Sequence, residues 1–242
     1  MLIERSSKCM SELRFCGIEP LSLVDLEGML VCTLFTNGCN FRCPFCQNSN
    51  LVFNQDITYL DWEEILSFLK KRRNMLDAVC VTGGEPTLYQ DLANKLKEIK
   101  ELGYFIKLDT NGTNPTMIKE LYQQGLIDYV AMDIKNCLEK YQETIDTKLV
   151  NLVNIQESID FLKTSGIDYE FRTTLVHEFH TPEDIEKIGL WLGNVKRMYL
   201  QKFKDSETCI KQGLHEVDLQ TAHQYKKILK EHMNNVSLRG YE

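Results

Sequence analysis

Apolar and polar positions follow two rhythms along this chain. Short runs rich in β-branched and aromatic residues, at 29–36 (MLVCTLFT), 77–82 (DAVCVT), 104–110 (YFIKLDT), 128–135, 169–176 and 197–203, have the length of buried strands. Between them the apolar residues recur at helical spacing. In 61–73, Trp62, Ile65, Leu66 and Leu69 share one face behind the Asp61 and Glu64 cap pair. Further helices are expected over 91–102, from Asn114 with Pro115 at its first position, around Ile155, Ile159 and Leu162, from Thr181 and Pro182 through Trp191, and over 218–232 behind Asp218. Six strand–helix units in succession predict an α/β fold with a parallel sheet. Six fall short of the eight that close a barrel, so the expectation is an open partial (β/α)6 barrel of the TIM type.

In such sheets the reactive groups sit at the carboxyl ends of the strands. The unusual residues fall there. Cys39, Cys43 and Cys46 follow the first strand, Gly83, Gly84 and Glu85 the second, while Asp109 and Thr110 end the third and Asp133 and Lys135 the fourth. All four groups share one rim.

Composition adds boundaries. A chain of 242 residues with 43% hydrophobic content supports one domain, expected over 21–242 with its core at about 30–203 and an N-terminal extension over 1–20. Nine cysteines, odd in number and mostly scattered, suit a reducing compartment and a thiolate site, which points to the cytoplasm. Charges at Glu4, Arg5, Lys8, Glu12 and Arg14 interrupt any signal-peptide run, and no eighteen apolar residues follow one another, so no membrane span is expected. A formal charge of −7 argues against a nucleic-acid partner. The basic run Lys70–Arg73 reads as a solvated helix end.

The densest chemistry lies in TNGCNFRCPFCQN at 36–48, where three cysteines stand at C-x3-C-x2-C spacing. The polar neighbours Asn40, Arg42, Gln47 and Asn48 make this a loop, not packed core. A zinc site would call for a fourth ligand, usually in a second close pair, and none is evident. An iron–sulfur cubane is normally held by four thiolates, so three leave one iron open to a small molecule.

This stretch resembles the radical S-adenosylmethionine enzymes, whose signature C-x3-C-x-aromatic-C matches Cys39, Cys43, Phe45 and Cys46. Gly83, Gly84, Glu85 and Pro86 match that family's second motif, and the resemblance runs over about 30–203. It implies a [4Fe–4S] cluster on the three cysteines and S-adenosylmethionine bound at the open iron, near Phe45, Gln47 and the two glycines. The glycines are expected to let the ligand approach the strand end closely. Reductive cleavage of the cofactor then gives methionine and a 5′-deoxyadenosyl radical.

Within the superfamily, LDTNG (108–112) and AMDIK (131–135) are similar to the glycyl-radical-enzyme activases. That likeness implies a monovalent cation held by Asp109, Thr110, Asp133 and the carbonyl of Ala131, with Lys135 and Arg172 near the cofactor. The segment LSLVDLEGMLVCTLFTNGCNFRCPFCQN and the strand YLQKF most resemble the longer form of the anaerobic ribonucleotide reductase activating component. The implied partners are a glycyl radical enzyme and a flavodoxin- or ferredoxin-type electron donor. Gln47 stands where these activases commonly carry a histidine, and Lys204 where some formate-lyase activases carry one after the sixth strand; a small-molecule substrate and a formate-lyase-type partner stay as alternatives. Cys9 and Cys16 lack the further cysteines a second cluster needs, Cys32 and Cys80 read as core, and His177 and His180 read as a loop pair.

Overall fold

The computed structural model describes residues 12–148 and 150–241. Its sheet has eight strands in sequential order: β1 (Phe15–Ser22), β2 (Val31–Thr36), β3 (Ala78–Gly83), β4 (Phe105–Thr110), β5 (Tyr129–Asp133), β6 (Asp168–Leu175), β7 (Met198–Lys202) and β8 (Val236–Arg239). All neighbours pair in parallel except β1, which runs antiparallel to β2. β1 and β8 each have one partner, so the sheet is open. The helices are α1 (Ser49–Phe53), α2 (Trp62–Arg72), α3 (Leu92–Glu101), α4 (Pro115–Gln123), α5 (Tyr141–Thr144), α6 (Leu152–Thr164), α7 (Pro182–Leu192) and α8 (Leu219–Lys230).

The six expected strand–helix units are β2 through β7 with their helices, and β8 extends them by a seventh parallel strand. β1 crosses the boundary expected at residue 20, pairing with β2 through two irregularities in register. Asp61, Asn114, Thr181 and Asp218 each accept a backbone N–H at their helix start, as their positions require.

Strand alternation divides the core in two. Leu34, Val79, Val81, Ile106, Leu108, Val130, Met132, Phe171 and Leu200 face the helices in one large apolar cluster. The opposite, concave face carries an apolar floor of Val31, Ala78 and Cys80 under Leu26, Met29 and Phe105. Above that floor it turns polar, and the strand ends open into a cleft. Among the described residues, no helix is long and apolar enough to cross a membrane.

Candidate active site

A cleft of about 740 Å³ lies at the carboxyl ends of the strands, lined from Gly17, Ile18 and Glu19 on β1 across to Gln201 and Lys202 on β7. Its volume is in the range of small-molecule sites. Of the residues singled out in the sequence, Cys39, Cys43, Phe45, Cys46, Gln47, Gly83, Gly84, Glu85, Asp109, Thr110, Asp133, Lys135 and Arg172 all line it. Ala131 does not; it is buried within the ladder between Asp109 and Glu170.

The cysteine loop leaves β2 and is clamped on three sides. Gly38 N–H donates to Leu51 O at 2.7 Å, Ile210 and Lys211 N–H donate to Cys46 O and Pro44 O, and the Asn111 amide donates to Asn40 Oδ1 at 2.8 Å. The Gln47 amide donates to Lys204 O at 2.6 Å, so the two positions that depart from the activase pattern touch each other. Phe45 is buried against Phe179, their ring centroids 5.7 Å apart. Burial pushes the Cys39 and Cys43 thiols up to about 12 and raises that of Cys46. Metal binding must therefore release their protons.

The glycine pair packs closely against the cysteine loop. A Cβ at Gly84 would stand 1.9 Å from Gly38 O, and one at Gly83, where φ is +111°, would stand 2.4 Å from Thr36 O. Gly84 N–H donates to Thr36 O and Glu85 N–H to Gly38 O, both at 2.8 Å. The missing side chains thus let the end of β3 close onto the cysteine loop; the close approach is protein to protein.

Glu85 is fully buried. Its Oε1 accepts from Thr87 N (3.1 Å), Thr87 Oγ1 (2.5 Å) and Thr110 Oγ1 (2.7 Å), and its Oε2 accepts from Asn111 N (2.6 Å). Burial raises its carboxyl pKa while these donors pull it down. The carboxylate ties the β3 turn to the end of β4, both of its oxygens accepting hydrogen bonds from the protein.

Asp109 and Asp133 belong to a ladder of charges across β4, β5 and β6. Lys107 Nζ, 1% exposed, stands 2.9 Å from Asp109 Oδ1, an ion pair rather than an aligned hydrogen bond. Arg172 joins the two carboxylates, with NH1 at 3.0 Å from Asp109 Oδ2 and Nε at 2.9 Å from Asp133 Oδ1. Lys135 completes it at 2.8 Å from Asp133 Oδ2. Burial alone would raise both carboxyl pKa values, but the neighbouring cations reverse this and hold Asp109 and Asp133 below the usual range. Lys107 was missed in the sequence, although its i, i+2 spacing from Asp109 puts both on one face of β4.

The sequence profile of the Radical SAM superfamily matches residues 33–192, two-thirds of the chain. The chain belongs to the radical SAM superfamily. This radical SAM enzyme is 33% identical over 199 residues to the "Putative glycyl-radical enzyme activating enzyme" of Methanocaldococcus jannaschii, over 79% of this chain and 80% of that protein. A 109-residue stretch is 36% identical to the 7-carboxy-7-deazaguanine synthase of Neisseria meningitidis serogroup B, covering 44% of each chain. Streptococcus suis SuiB bound to S-adenosylmethionine has the same fold, with a TM-score of 0.63 at 15% identity over 84% of this chain; the chain spans 48% of SuiB.

The cofactors of the superfamily, and so of this oxidoreductase, are a [4Fe–4S] cluster and S-adenosylmethionine. The donor set fits them. Three soft thiols line one cleft wall, and cationic Arg172 and Lys135 face the same space. Among the described residues no three His, Cys, Asp or Glu side chains converge tightly enough for a single ion. A cubane is ligated at different irons, so its thiolates stand further apart than those of one zinc.

The remaining candidates have structural places. Cys16 donates its S–H to Phe35 O, and Cys32 and Cys80 are buried in the two apolar clusters. Cys9 lies outside the described residues. His180 is buried ahead of α7, where its Nδ1 accepts from Val176 N at 3.1 Å and its Nε2 lies 3.0 Å from Lys135 O. Cys209 is buried in the segment that clamps the cysteine loop.

Proposed function

We propose that this radical SAM enzyme activates a glycyl radical enzyme, anaerobic ribonucleotide reductase in the first instance, with electrons from a flavodoxin- or ferredoxin-type protein. The observation that carries the reading is the shape of the site. The cysteine loop, the glycine turn and the charge ladder share one cleft, and that cleft reaches from β1 at one sheet edge to β7 beside the other. An open side of this kind admits a peptide loop, which a closed barrel filled with side chains would not. The likeness to an activating enzyme over most of both chains supports the same substrate class.

In this reading Cys39, Cys43 and Cys46 would hold three irons, leaving the fourth to the methionyl amino and carboxylate groups. Arg172 and Lys135 would face that carboxylate, and Phe45 and Gln47 would flank the cofactor on the loop side. When bound, the cluster would supply one electron received from the reduced donor protein, and S-adenosylmethionine would supply, on splitting off methionine, the group that takes a hydrogen atom from a glycine Cα to leave as 5′-deoxyadenosine. Gly83, Gly84 and Glu85 act on the protein itself, fixing the loop and the end of β4 around the site.

The test is to mix the reduced, cluster-loaded protein with S-adenosylmethionine and the anaerobic ribonucleotide reductase of the same cell. The expected result is a persistent glycyl doublet in electron paramagnetic resonance, with one deoxyadenosine released per radical. Many turnovers of a small metabolite, with no glycyl radical in any partner, would replace the activase reading with a small-molecule one.

A further inference from the structure

The resemblance to activases calls for a monovalent cation among Asp109, Thr110, Ala131 and Asp133. The surroundings of those residues do not suit one. Each of the four carboxylate oxygens already faces a cationic protein atom: Lys107 and Arg172 on Asp109, Arg172 and Lys135 on Asp133. Asp109 Oδ1 is sealed from solvent beneath the cleft, so a metal ion could reach it only by displacing the Lys107 ammonium. Thr110 Oγ1 is turned to Glu85 and accepts from Gly112 N, which leaves its hydroxyl committed within the protein.

The charges run in the order Lys107, Asp109, Arg172, Asp133, Lys135, with a cation at each end, Lys107 lying below the rim and the others lining the cleft. Three cations and two carboxylates leave this cluster with a formal charge of +1, so a further cation is disfavoured there and an incoming carboxylate is favoured. One layer below, Glu170 is held bidentate by Arg239 and bonded by Tyr129, so it does not draw Arg172 down out of the rim.

We propose that this enzyme receives the cofactor carboxylate without an alkali metal ion, the Lys107 ammonium and the Arg172 guanidinium together supplying the positive charge that such an ion would bring. Lys107 is here a positioning residue. It touches no ligand, but by saturating Asp109 from below it leaves the Arg172 guanidinium aimed across the strand ends. The inference rests on the proposed reading of the cleft as the cofactor site.

The test is S-adenosylmethionine binding to the cluster-loaded protein, measured by calorimetry in potassium, sodium and choline chloride at equal ionic strength. The dissociation constant should agree within about twofold in all three salts, where a change of about tenfold corresponds to 1.4 kcal/mol. A loss of about tenfold or more in choline overturns the proposal while leaving the cofactor site in place. Absence of binding in every salt overturns both the site and the inference. Replacing the ammonium by an apolar chain, in Lys107→Met, should create an alkali-ion dependence that the parent lacks. A folded Lys107→Met protein that binds equally in potassium and choline removes Lys107 from the assignment. Should that variant not fold, the salt comparison on the unaltered protein still decides.

Discussion

Replacing Gly84 by alanine should damage the cysteine loop before it touches any cofactor. The added Cβ would lie 1.9 Å from Gly38 O and 2.7 Å from Gly38 C, both backbone atoms with no flexible end to swing away. To restore even a 3.0 Å contact, the peptide at Gly38 must retreat by about 1.1 Å, and Cys39 is the next residue. That movement strains the Glu85 N–H to Gly38 O bond of 2.8 Å. Overpacking costs about 1–3 kcal/mol and a lost hydrogen bond about 0.5–1.5 kcal/mol. A total near 2–4 kcal/mol lowers Tm by about 5–15 °C in a chain of this size. The assay pairs a thermal melt with iron content after anaerobic reconstitution. The expected outcome is a lower Tm and less than about half the iron of the parent, since cluster binding depends on ligands held in one geometry. If Gly84→Ala melts like the parent and loads fully with iron, the glycines are not the hinge between β3 and the loop. Room for the ligand, the expectation from sequence, would then be the role left to them.

Two other outcomes follow from buried groups. Glu85→Ala leaves the N–H groups of Thr87 and Asn111 without their acceptor, a cost of about 2–5 kcal/mol that a melt by circular dichroism should register as a fall of about 5–15 °C; an unchanged Tm would show that Glu85 does not tie β3 to β4. Burial holds the His180 pKa below its ordinary value despite its two backbone contacts, so the unfolded chain binds more protons than the native one just below about pH 6.5. Its contribution is therefore complete above that pH and lost as pH falls through it, and His180→Asn should flatten the slope of urea midpoint against pH between about 5 and 7. An equal slope in both proteins would remove His180 from that window.

The six internal parallel strands were legible within a residue or two, because their helix-facing positions are unbroken apolar series such as Val79 and Val81 or Ile106 and Leu108. The edges were not. β8 is the four residues VSLR, with a single partner, and too short for its alternation to stand out. β1 carries Gly17, Glu19 and Pro20 and fell largely within the N-terminal extension expected over 1–20; it is an antiparallel edge strand with irregular register, where such residues are tolerated. The rim was legible as a set of positions, since the motif residues all end strands. What each side chain does there was less so. Glu85 was visible only as part of a motif; that it is a buried tie was not, because four donors converge on it only in three dimensions. Lys107 in YFIKLDT was not singled out at all, and its parity with Asp109 is the one signal that could have found it.

The concave face shows why so many polar groups can be buried beside a redox site. At each layer a polar side chain meets its partner from the next strand or loop: Thr33 with Asp25, Tyr129 with Glu170, Thr82 with Asp109, Arg172 with Asp133. Buried polar groups satisfied in this way rigidify their surroundings, whereas any one left unpaired would be costly. The partners are set by strand register. Cys80 lies opposite Lys107, Lys107 opposite Tyr129, and Asp133 opposite Arg172. A slip of one residue in β4 would turn Lys107 and Asp109 toward the helices and bring Ile106 and Leu108 into the cleft. The apolar series on the convex side therefore does more than stabilise the sheet. By fixing the register of β4 it also decides that the charge ladder faces the cleft, which makes the helix-facing core a determinant of the site's electrostatics.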